Sequence, residues 1–107
     1  NKLERIAAAQ SPRLKSKSLI VLMRECPLYL ERLEPDERDA DTFSYQTCAR
    51  IWQNSGYNCT IIGGDFEPED YADPRHLSPS GGEKLSKLMA DKVRQIANDL
   101  GYEKNAN

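Results

Sequence analysis

Two short, unbroken apolar runs constrain this chain more than any other feature. Leu19-Ile20-Val21-Leu22-Met23 and Cys59-Thr60-Ile61-Ile62 lack the alternation of a half-exposed strand. They read as strands buried on both faces, as in a parallel sheet. Between them, from about Thr42 to Ser55, Tyr45, Cys48, Ala49 and Trp52 fall on one face of a helix. Asp41 is the expected N-cap of that helix, and Gly56 is the left-handed residue that ends it. Strand, helix, strand implies a right-handed parallel crossover, hence an α/β layered fold.

The flanking segments add two helices. Leu3, Ile6, Ala7 and Gln10 have helical spacing that stops at Ser11-Pro12. Near the other end, Leu85, Leu88, Met89, Val93, Ile96 and Leu100 form an apolar stripe closed by Gly101, and Ser80 with Glu83 supplies an expected S-x-x-E capping box. Arg24 to Asp41 is expected to be a long polar loop (24–41). Asp65 to Pro79, rich in acids and prolines, is expected to be a second (65–79). Residues 1–107 thus read as one α/β domain, or part of one. Two parallel strands are too few to stand alone, so further strands, another chain in a homo-oligomer, or more of the same domain must complete the sheet. The expectation here is the last.

Composition narrows the function classes. With 38% hydrophobic and 30% charged residues the chain is polar but foldable. Its 15 basic and 17 acidic residues are interspersed, and the one basic cluster, Arg13-Leu14-Lys15-Ser16-Lys17, reads as a solvated loop, so no nucleic-acid partner is expected. Cys26, Cys48 and Cys59 have no CxxC spacing and no nearby histidine, which argues against zinc and fits reduced, packed thiols. The apolar run Leu19–Met23 is far too short to cross a bilayer, and Asn1-Lys2-Leu3-Glu4-Arg5 is not a secretory pattern. Compartment stays open. Trp52, Tyr45 and Phe43 read as core or interface. The acids between Glu31 and Asp41 alternate with Arg32 and Arg38 and read as solvated rather than calcium-binding.

Ligands of open parallel sheets bind outside the carboxyl ends of the strands. Those ends lead here into Arg24-Glu25-Cys26-Pro27 and Gly63-Gly64-Asp65, which places Glu25 where it can line a pocket. The only histidine, His76, lies in the second loop with Asp73 three residues before it. A carboxylate at that spacing can accept the Nδ1–H and leave Nε2 as a general base.

The surrounding segment, Tyr71-Ala72-Asp73-Pro74-Arg75-His76-Leu77-Ser78-Pro79-Ser80-Gly81-Gly82 leading into Glu83-Lys84-Leu85, resembles the carboxyl-terminal block of the SGNH (GDSL-type) hydrolases. It looks closest to the branch that includes membrane-linked acyl-transfer proteins of bacterial envelopes. The resemblance is specific over this block and loose elsewhere, where the strand and helix order and the Cys26-Pro27 turn match the back half of that fold. It implies a flavodoxin-like three-layer α/β/α architecture of which this chain is the carboxyl-terminal portion. Asp73 and His76 would complete a serine triad, with His76 as acid–base and Asp73 holding its tautomer. The substrate implied is an ester or acyl group on a carbohydrate or envelope polymer, with a cell-envelope setting and no metal or organic cofactor.

The chain departs from that family in one respect. No Gly-Asp-Ser nucleophile block and no Gly-x-Asn-Asp oxyanion block precede His76. Ser80 is read as a helix cap, and Ser78 stands too close to His76 in sequence to be an easy nucleophile. The chain alone is therefore expected to be inactive. Leu77 to Lys84 is also similar to the Ser-Gly-Gly signature of ABC-type ATPases, but neither the following hydrophobic strand nor a Gly-x-x-x-x-Gly-Lys-Ser/Thr loop is present. The competing reading is a non-catalytic α/β interaction domain that uses residues 24–41 as its contact surface.

Overall fold

The computed structural model describes residues 1–102. The elements are α1 (Lys2–Ala8), α2 (Pro12–Ser16), β1 (Leu19–Met23), α3 (Pro27–Arg32), α4 (Pro35–Asn54), β2 (Asn58–Ile62), a 3₁₀ turn (Pro68–Asp70) and α5 (Pro79–Asp99). β1 and β2 pair in parallel, from Leu19 opposite Asn58 to Met23 opposite Ile62. The protein is a mixed α/β fold on a two-stranded parallel sheet. No helix among the described residues is long and apolar enough to cross a membrane.

Prolines mark helix starts. Ser11 accepts the Leu14 N–H on Oγ at 3.2 Å with Pro12 behind it, so the Arg13–Lys17 segment expected as a solvated loop is largely the short helix α2. The long polar loop expected over 24–41 is likewise mostly helix. Pro27 opens α3 and Pro35 opens α4. Glu37 accepts the Glu34 N–H at 3.0 Å, closing the amino end of α4 a full two turns before Thr42. Asp41 is therefore inside α4, not its cap. Proline is tolerated in the first helical turn because its missing N–H has no intrahelical partner there.

The core lies at the carboxyl ends of the strands. Cys26, Ile62, Phe66 and Tyr71 are buried together, flanked by Val21, Met23, Tyr29, Leu77, Leu85 and Met89. The strands are less covered than their sequence leads one to expect: all of β1 is half-buried and Ile61 is exposed. A two-stranded sheet leaves its edges open, so apolar runs suited to a sheet interior meet solvent. The stripe of α5 behaves alike, with Leu85 and Met89 packed and Leu88 and Val93 exposed. Tyr45 donates from its hydroxyl to the Met23 carbonyl at 2.8 Å, and Trp52 meets Tyr57 edge-on at 4.9 Å, which makes both packing residues. Phe43 instead stands 62% exposed.

Candidate active site

The chain leaves β2 for loop 65–79 through Gly63, whose φ of +108° belongs to the left-handed region. A Cβ there would come within 2.8 Å of Met23 Cε and 2.9 Å of the Tyr71 hydroxyl. The Tyr71 hydroxyl donates to the Arg24 carbonyl at 2.7 Å, joining the ends of the two strands. The 3₁₀ turn that follows is anchored by the buried carboxylate of Asp70. It accepts from the Glu67 N–H at 2.9 Å, the Ser80 hydroxyl at 2.8 Å and Lys84 Nζ at 2.5 Å. Lys84, then the backbone and Ser80 bonds, hold the Asp70 carboxyl below the ordinary range, while the Asp70 carboxylate, with Glu67 and Asp65 behind it, raises Lys84.

Helix α5 packs directly on this anchor. The Ser78 N–H donates to the Asp70 carbonyl at 2.8 Å. Ser78, not Ser80, is the N-cap: its Oγ accepts the Gly81 N–H at 3.4 Å, and Pro79 is the first helical residue. Ser80 has a different duty, bonding Asp70, and Glu83 reaches forward to Lys87 at 3.4 Å rather than back to a cap. The Ser78 hydroxyl also donates to the Glu69 carbonyl at 2.7 Å, so both serines are committed to structure.

Between these supports the chain makes a tight turn. Tyr71 and Leu77 form an antiparallel bridge, and the Ala72 N–H donates to the His76 carbonyl at 2.8 Å. At the tip, the Pro74 carbonyl accepts the Cys26 N–H at 2.9 Å, fixing the turn to the segment after β1. Asp73 Oδ1 accepts the N–H of Arg75 and of His76, each at 2.8 Å. An Asp followed by Pro favours this local bonding. The turn also brings the imidazole onto the same carboxylate: His76 Nδ1 lies 2.9 Å from Asp73 Oδ2 and 3.0 Å from Oδ1. The Arg75 N–H first, then the His76 N–H and ring, keep the Asp73 carboxyl lowered. An ionised carboxylate only accepts, so in the neutral ring Nδ1 carries the proton and Nε2 presents its lone pair. The His76 side chain is 79% exposed, open to an approaching group.

Asp73 and His76 thus meet as their spacing suggested. A second polar cluster nearby was not read from the sequence beyond Glu25. The Arg24 guanidinium, 4.7 Å from the Tyr45 ring centroid, pairs with Asp41 at 3.2 Å and stands 3.6 Å from Glu25. Burial, then the neighbouring Glu25, raises the Asp41 carboxyl. Burial and the same acids push the Tyr45 hydroxyl up to about 12. These residues wall a cleft of about 300 Å³ that Arg75 also borders. Another hollow, of about 560 Å³ between α1 and α4, shares no residue with the loop. No three His, Cys, Asp or Glu side chains gather as a metal site among the described residues, and all three cysteines are free thiols. Set against family models, curated proteins and solved structures, the chain matches none.

Proposed function

We propose that this chain is the carboxyl-terminal part of an SGNH-like serine esterase or acyltransferase. It contributes Asp73 and His76, while the serine and oxyanion donors lie on sequence outside residues 1–107. The observation that carries the reading is the Asp73 carboxylate seated 2.9 Å from His76 Nδ1, on a loop beyond the carboxyl ends of parallel strands, with the ring open to solvent. In this scheme His76 Nε2 takes the serine proton as Oγ attacks the ester carbonyl. It returns that proton to the leaving alcohol, and Asp73 stabilises the imidazolium between the two steps. Water or a second alcohol then repeats the sequence on the acyl-enzyme.

The fold proposed is the three-layer, flavodoxin-like α/β/α sheet. Three features of the chain support its incompleteness. The Cα atoms fill a slab only 16 Å thick, whereas packed layers stand about 10 Å apart, so three full layers need more depth. The radius of gyration is 15.9 Å, above the roughly 13 Å of a compact chain this long. Among the described residues no large side chain is fully buried.

A fluorophosphonate probe on the natural gene product tests the reading. Expected are an intact mass well above 12.1 kDa, one phosphonylated serine outside residues 1–107, and a loss of about 10³-fold or more in labelling rate in His76→Ala. A natural mass near 12.1 kDa with no associated chain, or labelling indifferent to His76, overturns it. The second reading, a non-catalytic interaction domain, draws on the exposure of Leu28 (49%) and Phe43 (62%) in and beside the 24–41 segment. It gains if His76→Ala changes no labelling while Phe43→Ser abolishes assembly with a partner.

A further inference from the structure

The cleft at the carboxyl end of β1 has a floor unlike an ordinary surface ion pair. The Glu25 side chain is only 9% exposed and that of Arg24 only 13%. Glu25 Oε1 and Arg24 Nε are both buried, and neither has a hydrogen-bond partner. At 3.6 Å they are an ion pair too long for a hydrogen bond. One atom is an acceptor lacking a donor, the other a donor lacking an acceptor. Native interiors seldom leave such atoms unpaired, and polar sites that do are candidates for ligand contact.

The walls extend the same balance. Asp41 adds a second carboxylate and Arg75 a second guanidinium, the latter exposed and without a partner among the described residues. Two charges of each sign give no net attraction for an ion. An anion drawn to Arg75 and Arg24 meets Glu25 and Asp41, and a cation drawn to the acids meets the guanidinium groups. A hydroxyl answers both demands, since it donates to a carboxylate and accepts from a guanidinium through one oxygen. Several hydroxyls on a compact frame suit a cleft of about 300 Å³.

The cleft is also joined to the loop that holds His76. Arg75 is its neighbour in sequence, and the segment behind Arg24 is tied to that loop twice, through Tyr71 to the Arg24 carbonyl and through Cys26 to the Pro74 carbonyl. We infer that this cleft binds a neutral, polyhydroxylated group, the alcohol half of the ester, with Glu25 and Asp41 accepting its hydroxyl protons and Arg75 donating to its oxygens. The identification as the alcohol half rests on the acyl chemistry proposed above. Binding of a neutral polyol does not.

The test is a titration of the natural, full-length protein with D-glucose and glycerol, followed by ¹H–¹⁵N NMR, with glucose 6-phosphate and glucosamine as charged comparators. Expected are saturable shifts centred on the Arg24, Glu25, Asp41 and Arg75 amides, no gain from either charge, and about tenfold weaker binding in Arg75→Ala. Arg75 is exposed, so an unchanged spectrum outside the cleft certifies that variant's fold. A comparator binding more than about tenfold tighter overturns the neutral-polyol assignment, as do shifts centred elsewhere or an Arg75→Ala protein that binds equally well. If glucose binds at the cleft but fluorophosphonate labelling is independent of His76, the acyl reading fails and the polyol site stands.

Discussion

Two adjacent glycines at the start of α5 should respond to the same substitution with opposite signs. An alanine is the better helix former by at most about 1 kcal/mol, and at Gly82 nothing lies within 4 Å of the added Cβ. Gly82→Ala should therefore stabilise by roughly 0.5–1 kcal/mol. At Gly81 the same Cβ would stand 1.9 Å from the Asp70 carbonyl oxygen, 2.8 Å from its carbon and 3.0 Å from Leu77 Cδ2. Relaxing the first contact to the roughly 3.3 Å of a close C···O approach requires α5 and the 3₁₀ turn to separate by about 1.4 Å. That displacement stretches the 2.8 Å bond from the Ser78 N–H to the same oxygen. Overpacking of this kind costs about 1–3 kcal/mol, and a lost hydrogen bond about 1 kcal/mol more. Net of the propensity gain, Gly81→Ala should destabilise by roughly 1–3 kcal/mol, leaving the two variants about 1.5–4 kcal/mol apart. Helical circular dichroism during thermal melting reads this directly, at roughly 4–8 °C per kcal/mol for a domain this size. Equal melting temperatures, or a Gly81→Ala protein the more stable, would refute the close packing of α5 on the turn that carries the candidate site.

Three further expectations follow from the same supports. Asp70 is held below its ordinary value of 3.8, so its contribution is present above about pH 4 and is lost as pH falls through the lowered folded value. Asp70→Asn should thus be weaker than the parent at pH 7, with the gap in urea melts narrowing steadily as pH falls below about 4; a gap unchanged with pH would count against the Lys84 pairing. Tyr71→Phe removes the 2.7 Å bond to the Arg24 carbonyl and should cost roughly 1–3 kcal/mol in denaturant unfolding, a neutral result showing that water replaces the hydroxyl freely. The isolated 107-residue polypeptide should not hydrolyse p-nitrophenyl acetate above the rate of free imidazole, and His76-dependent turnover would place a nucleophile within the chain.

Proline decided what was legible of the fold. The parallel pair follows from two unbroken apolar runs joined by a helix, the crossover and final helices from apolar periodicity, and each is present. Two segments expected as loops, 13–17 and 24–41, are largely helical, because proline, a breaker inside a helix, starts one here. Pro12, Pro27, Pro35, Pro68 and Pro79 each stand at the first residue of a helix or 3₁₀ turn, leaving only Pro74 of the 6 outside one. A residue with no N–H and φ already near −65° is suited to that position and to no later one. The Ser-Pro pairs at 11–12 and 78–79 carry the same message twice, since the serine before the proline is the N-cap in both. With two candidate serines at the head of α5, the proline between them identifies Ser78 and releases Ser80 to bind Asp70.

The same early start of α4 builds the polar cluster around Arg24. The Asp73–His76 contact is legible because it is local: three residues, one proline and a side chain that bonds its own backbone fold the pair together. The Arg24 cluster spans a separation of 17 residues to Asp41 and is built on a helix that starts seven residues before the expected Thr42. An α4 beginning at Thr42 leaves Asp41 as a cap with its carboxylate turned back on the helix amides. An α4 beginning at Pro35 puts Asp41 and Tyr45 four residues apart on one helical face. Tyr45 bonds the Met23 carbonyl, so that face must lie over the carboxyl end of β1, and Asp41 is carried onto Arg24. The helix start at Glu34-Pro35, capped through Glu37, is therefore what makes Asp41 and Tyr45 walls of the cleft that Arg75 borders.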